Sequence, residues 1–172
     1  PPEFPPAGHV ARVDALPAKL ERALKAKGHT VAIENAGVSG DTAAGGLARL
    51  DWSVPDGTDA VLVELGANDM LRGQDPARTR AALDEILTRL NQRRIAVMIL
   101  GMRAAPNLGA AYQRQFDAIF PDLAQKHGAA LYPFFLDGVA GDQRLNQADG
   151  MHPTPAGAAL RFQCPDGKRL RS

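Results

Sequence analysis

The segment QADGMHP, residues 147–153, places the carboxylate of Asp149 three positions before the imidazole of His152, with Pro153 directly behind. Proline disfavours helix at the residue before it, which keeps the His152 ring on a loop. At this separation a carboxylate can hold Nδ1–H while Nε2 faces a substrate as general base, an arrangement that activates a hydroxyl for acyl transfer. An exposed histidine beside a helix cap is the other reading of the same residues. Hydroxyl nucleophiles are scarce, because the serines are Ser39, Ser53 and Ser172 alone. Metal binding at His152 is the weaker chemistry, since no second His or Cys stands at ligand spacing.

Two further stretches carry groups suited to an anion. In GVSGDT, Gly40 lies between Ser39 and Asp41 ahead of a helical pattern. A glycine there leaves its backbone N–H unshielded and able to donate. A phosphate cradle is disfavoured, because neither a following Gly-Lys-Ser/Thr nor a Gly-x-Gly-x-x-Gly is present. A plain capping turn closed by Asp41 or Ser39 stays open. In GAND, Asn68 offers a side-chain amide that can donate to a developing oxyanion without titrating. Taken singly, Asn68 reads as a turn residue and Asp69 as a helix or turn cap.

The elements that must position these groups alternate. Short apolar runs at 30–37 (TVAIENAG), 60–66 (AVLVELG), 95–101 (IAVMILG) and 129–135 (AALYPFF) read as strands covered on both faces. Between them, Leu16, Leu20 and Leu24 form one helical stripe; Leu83, Ile86, Leu87 and Leu90 form another. Tyr112, Phe116, Ile119, Phe120 and Leu123 form a third. All three stripes are expected to be core. Gly28 and Gly128 read as helix stops, which accounts for His29 and His127 without chemistry. Thr154 and Pro155 read as the cap and first turn of a last helix. Such alternation predicts an α/β domain with a mostly parallel sheet, whose ligands bind beyond the carboxyl ends of the strands. Every unusual polar cluster falls in one of those loops.

Bulk properties narrow the function. A chain of 172 residues, 45% apolar, is the size of one domain with a core of its own. Twenty basic and nineteen acidic residues leave a net charge of +1 without a like-charge run, so nucleic acid and anionic membrane lack an electrostatic case. Cys164 is alone, which excludes an intrachain disulfide and a cysteine-based metal site. No signal-peptide pattern opens the chain, and no run of about eighteen apolar residues occurs. Small neutral or amphiphilic substrates remain.

NAGVSGDTAAGGLARL, VLVELGANDMLRG and DGMHP, in this order and at these separations, resemble the SGNH hydrolases, also called the GDSL family, from about Leu16 to about Ala158. The likeness is greatest to the bacterial branch of arylesterases and multifunctional thioesterase/lysophospholipases. The resemblance implies one flavodoxin-like three-layer α/β/α domain over 1–172. It implies hydrolysis of carboxylic esters and thioesters without cofactor or metal, on short acyl or aryl esters, acyl-thioesters or lysophospholipids. It casts the Gly40 N–H and the Asn68 amide as oxyanion donors, Asp149 as orienter and His152 as general base. The loop GMRAAPNLG, with Arg103, Ala104, Ala105 and Pro106, would border the acyl pocket, and MLRGQDP, with Met70, the other side. Members of this branch are often periplasmic or secreted, with a cytoplasmic site the alternative. The partners implied are small ester or thioester substrates, with neither nucleic acid nor membrane insertion.

The first block departs from the family. A buried strand ending in Gly-Asp-Ser-Leu should supply the nucleophile near position 3, where Glu3 stands within PPEFPP. Ser39 belongs to the oxyanion loop, Ser53 follows a predicted helix, and Ser172 is the last residue. Residues 1–13 and 162–172 are atypical of the family. Two readings follow: an ester hydrolase of serine type, and a non-catalytic binding module on the same fold.

Overall fold

The computed structural model describes residues 16–136. Asp149, His152, the helix expected after Thr154, Cys164 and both atypical termini lie outside the described residues. The chain divides into two compact units, Ala36–Phe135 and a second comprising Pro1–Asn35 with Leu136–Ser172.

The larger unit is built on a parallel sheet of three strands, β1 (Ala60–Val63), β2 (Ala96–Leu100) and β3 (Ala130–Tyr132), in the order β1-β2-β3. Val63 pairs with Ile99, and Ile99 with Leu131. Six helices accompany it: α2 (Ala43–Ala48), α3 (Leu50–Ser53), α4 (Ala67–Leu71), α5 (Pro76–Gln92), α6 (Ala110–Asp117) and α7 (Ile119–His127). The smaller unit contributes α1 (Leu16–Ala26). Parallel strands require crossovers, and the helices between β1 and β2 and between β2 and β3 supply them.

The core lies between the sheet and the two helices α5 and α7. Val63 and Ile99 close one apolar cluster with Leu83, Leu87, Phe120 and Leu123. Leu83, Ile86, Leu87 and Leu90 are all buried, as their spacing predicts. Side chains of a strand alternate between faces, so the neighbour Leu62 points the other way and remains 42% exposed. Two-sided coverage of the strands therefore does not extend to Leu62.

The aromatic stripe at 112–123 is buried at Phe116, Ile119, Phe120 and Leu123 and half-buried at Tyr112, but it is carried by two helices instead of one. Pro121 explains the break: it has no N–H to give the carbonyl four residues back, and its ring crowds that turn. Phe116 meets Phe120 edge to face across the junction, with ring centroids 5.5 Å apart. Gly128 ends α7 in the left-handed conformation, at φ 63°.

The smaller unit corrects two expectations. Leu16, Leu20 and Leu24 lie on α1 as predicted, yet none of them is buried. Residues 30–37 form no strand. From Thr30 to Glu34 the side chains still alternate between exposed and half-buried, the imprint of an extended backbone. A strand also needs a ladder, and none reaches this segment among the described residues. The Ile33 N–H goes to the Glu21 carboxylate on α1 at 2.9 Å. Lys25, one turn on, pairs with the same carboxylate and with Ile33 holds it below the usual glutamate range.

Candidate active site

The loop between Asn35 and α2 turns at Val38–Asp41, where the Asp41 N–H returns to the Val38 carbonyl at 3.2 Å. Gly40 occupies the third position at φ 79°, the left-handed conformation that glycine adopts without strain. Its N–H meets no acceptor among the described residues. The helix beyond is capped by Thr42, whose Oγ1 accepts from the Gly45 N–H at 3.1 Å. Neither Asp41 nor Ser39 closes it, contrary to the plain-turn reading.

At the carboxyl end of β1, α4 begins at Ala67 and presents Asn68 in its first turn. The Asn68 Nδ2 donates to the Asp41 carbonyl at 2.9 Å, across 27 residues of sequence. An amide nitrogen carries two protons. The second has no acceptor among the described residues. Thus the structure brings the Asn68 amide within one residue of Gly40, the two groups that the resemblance names as donors.

The next residue holds this approach together. Asp69 is 1% exposed; its Oδ2 accepts from the Ala43 N–H at 2.9 Å and its Oδ1 from the Thr79 hydroxyl at 3.1 Å. The first N–H groups of a helix lack partners within it, and a carboxylate there is stabilised by the dipole. Asp69 is indeed a cap, but of α2, not of its own helix. Sequence spacing carries no signal for a partner 26 positions away.

Two arginines grip the same loop. Arg72 Nη2 donates to the Gly40 carbonyl at 2.7 Å. Arg49 donates to the Asp41 carboxylate, to the Ala36 carbonyl and to the Ser53 hydroxyl. Neither was singled out in the sequence, where each is one of many charged residues beside a helix.

The segments expected to border the acyl pocket also meet. The Ala105 N–H approaches the Met70 sulfur at 3.2 Å, and the Ala104 N–H donates to Asp117 at 2.7 Å. Ala104 and Met70 are buried, whereas Arg103 and Pro106 are exposed. Arg103 lies over the Phe134 ring at 5.1 Å, within cation–π range. The Tyr112 hydroxyl donates to the Gln74 carbonyl at 2.9 Å, linking α6 to the loop after α4. Burial, with the carboxylates of Asp69 and Asp75 nearby, raises the Tyr112 phenol above its ordinary pKa. Among the described residues no cluster of His, Cys, Asp and Glu suits a metal ion, and no helix is long and apolar enough to cross a membrane.

Beyond the carboxyl end of the first strand of this parallel sheet, the Asn68 amide thus meets the loop that carries Gly40. Residues 6–160 match the GDSL-like lipase/acylhydrolase family. The chain is 40% identical to esterase TesA of Pseudomonas aeruginosa over 140 residues, 81% of this chain and 70% of that one. It is 38% identical to an arylesterase of Vibrio mimicus over the same shares of each. The crystal structure of AlinE4, an SGNH-hydrolase family esterase, superposes with a TM-score of 0.80 at 48% identity, covering 89% of this chain and 82% of the other. The chain belongs to the GDSL-like lipase/acylhydrolase family. Its α/β fold is that of the SGNH hydrolases.

Proposed function

We propose that this chain is built to hydrolyse carboxylic esters, with short acyl and aryl esters as the first substrates to expect and acyl-thioesters and lysophospholipids as further ones. The reading assigns the Gly40 N–H and the Asn68 amide to the tetrahedral oxyanion. It assigns His152 to removing the proton of the attacking hydroxyl and Asp149 to holding the imidazole, so that an acyl-enzyme forms and water then releases it. The observation that carries it is the 2.9 Å hydrogen bond from Asn68 Nδ2 to the Asp41 carbonyl; among the described residues neither the second amide proton nor the neighbouring Gly40 N–H has an acceptor. Donors already in place stabilise a developing charge without reorganising at the moment of reaction.

The nucleophile is the open element, because Glu3 stands where the family's serine is expected. A binding module on the hydrolase fold is therefore the second reading. A fluorophosphonate probe and p-nitrophenyl acetate separate the two. Labelling at a serine, with turnover lost in His152→Ala, supports the hydrolase. No labelling, and hydrolysis equal to that of His152→Ala, assigns the chain to the binding module.

A further inference from the structure

We propose that Arg49 is a positioning residue that closes the loop bearing Gly40 and neutralises the Asp41 carboxylate beside it; the proposal rests on the reading of Gly40 and Asn68 as anion donors. Arg49 follows α2, and its guanidinium reaches both ends of the loop. Nη1 donates to the Ala36 carbonyl at 2.6 Å, and Nε donates to the Asp41 Oδ2 at 2.6 Å. The four residues between those anchors are Gly37, Val38, Ser39 and Gly40. A segment with two glycines in four residues has large conformational freedom, and tying its ends removes most of it. Nη1 also reaches the Ser53 hydroxyl at 2.9 Å, which fixes the fork from the far side.

The contact is sheltered: the Arg49 and Asp41 side chains are 17% and 14% exposed. The backbone is shaped to admit it. A Cβ at Gly45 would lie 1.9 Å from the Asp41 Oδ1, so glycine there lets the carboxylate fold against the first turn of α2. The charge matters as much as the tether. Asp41 is the residue after Gly40, and an unpaired carboxylate there would repel the anion that the Gly40 N–H is meant to receive. The arginine removes that repulsion while leaving both donors untouched. Lysine cannot replace it, since one ammonium cannot serve the Ala36 carbonyl and the Asp41 carboxylate with the geometry of a planar fork.

The test uses the full chain labelled with 15N and needs no turnover. Amide exchange at Asp41, whose N–H closes the Val38–Asp41 turn, reports the loop, and exchange in α5 reports global stability. Titration with methylphosphonate, a tetrahedral anion, reports the donors through the Gly40 amide and Asn68 side-chain resonances. In Arg49→Met, exchange at Asp41 should rise about ten- to a hundred-fold while α5 stays unchanged, and the anion should bind at least about tenfold more weakly. Arg49→Lys should recover part of the anion affinity and little of the exchange protection. Adding Asp41→Asn to Arg49→Met should restore anion affinity without restoring protection, because the carboxylate is then gone but the loop is still untied. Unchanged exchange at Asp41 in Arg49→Met, or a rise shared equally by α5, overturns the positioning role. If methylphosphonate moves neither Gly40 nor Asn68 in the parent chain, the donor reading falls, and the exchange arm alone decides whether Arg49 holds the loop.

Discussion

Asn68 and Asp69 are neighbours in sequence with opposite duties. Asn68 turns an amide toward the Gly40 loop, and Asp69 turns a carboxylate inward to fasten that loop's helix to α4 and α5. The consequences of removing each differ in kind. If Asn68 is an oxyanion donor as proposed, Asn68→Ala should lower the turnover number for p-nitrophenyl esters about a hundred- to a thousand-fold, with little change in thermal midpoint. Steady-state kinetics beside a thermal melt check both halves. Asp69→Ala strands the N–H of Ala43 and the hydroxyl of Thr79, both fully buried. Stability should fall by about 2–4 kcal/mol in urea titration, because each group loses its partner without regaining water. Asp69→Asn, which can accept from Ala43 and donate to Thr79, should recover most of that loss.

Between elements, α5 and α7 meet the sheet through apolar side chains and meet each other through charge. Asp84 on α5 pairs with Lys126 on α7 at 2.7 Å and with His127 at 2.5 Å. Lys126 first, then His127, holds the Asp84 carboxyl below the usual aspartate range. Such a group stabilises the fold fully above its unfolded pKa, about 3.9, and that contribution disappears as pH falls through the lower folded value. Asp84→Asn should therefore cost about 0.5–1 kcal/mol at neutral pH, the size of a partly exposed pair, and make stability less dependent on pH below about 4. Urea midpoints from pH 7 to 3 measure it; a variant with the parent's acid slope would remove Asp84 from the account. His127, expected to be an ordinary helix-terminal histidine, is a link between helices, which its position at the end of α7 did not reveal.

At the scale of the molecule, charge is nearly balanced, at +1 over 172 residues. A net charge this small supplies no whole-molecule attraction for a charged ligand, and the Arg49–Asp41 pair beside the Gly40 loop is local. For an anionic ester, kcat/KM should change by less than about twofold between low salt and roughly 0.5 M salt, since a nearly balanced net charge leaves little long-range attraction to screen. A steep decline with salt would reveal a basic surface that the composition conceals. The parallel strands place the loops that follow them at one end of the sheet, where the Gly40 and Asn68 segments meet.

The residues of the chain determined by themselves which segments would be helix and which strand at 60–66, 95–101 and 129–135, because apolar spacing reports the face that each element must bury. They also singled out Gly40 and Asn68, which the fold brings to neighbouring positions, since the glycine and the amide stand out against their surroundings. Tertiary structure alone decided the rest. A ladder requires a partner, so the extended pattern at 30–37 became no strand, with Ile33 bound instead to Glu21. The division of one predicted stripe into two helices is the exception, since Pro121 imposes it by a local steric rule already present in the sequence that periodicity does not weigh. Asp69, Arg49 and Arg72 gained their roles from partners that are distant in sequence or reached only through the turn of a loop. A hydrogen bond is fixed by where two chain segments come to lie, and spacing along the chain does not contain that distance.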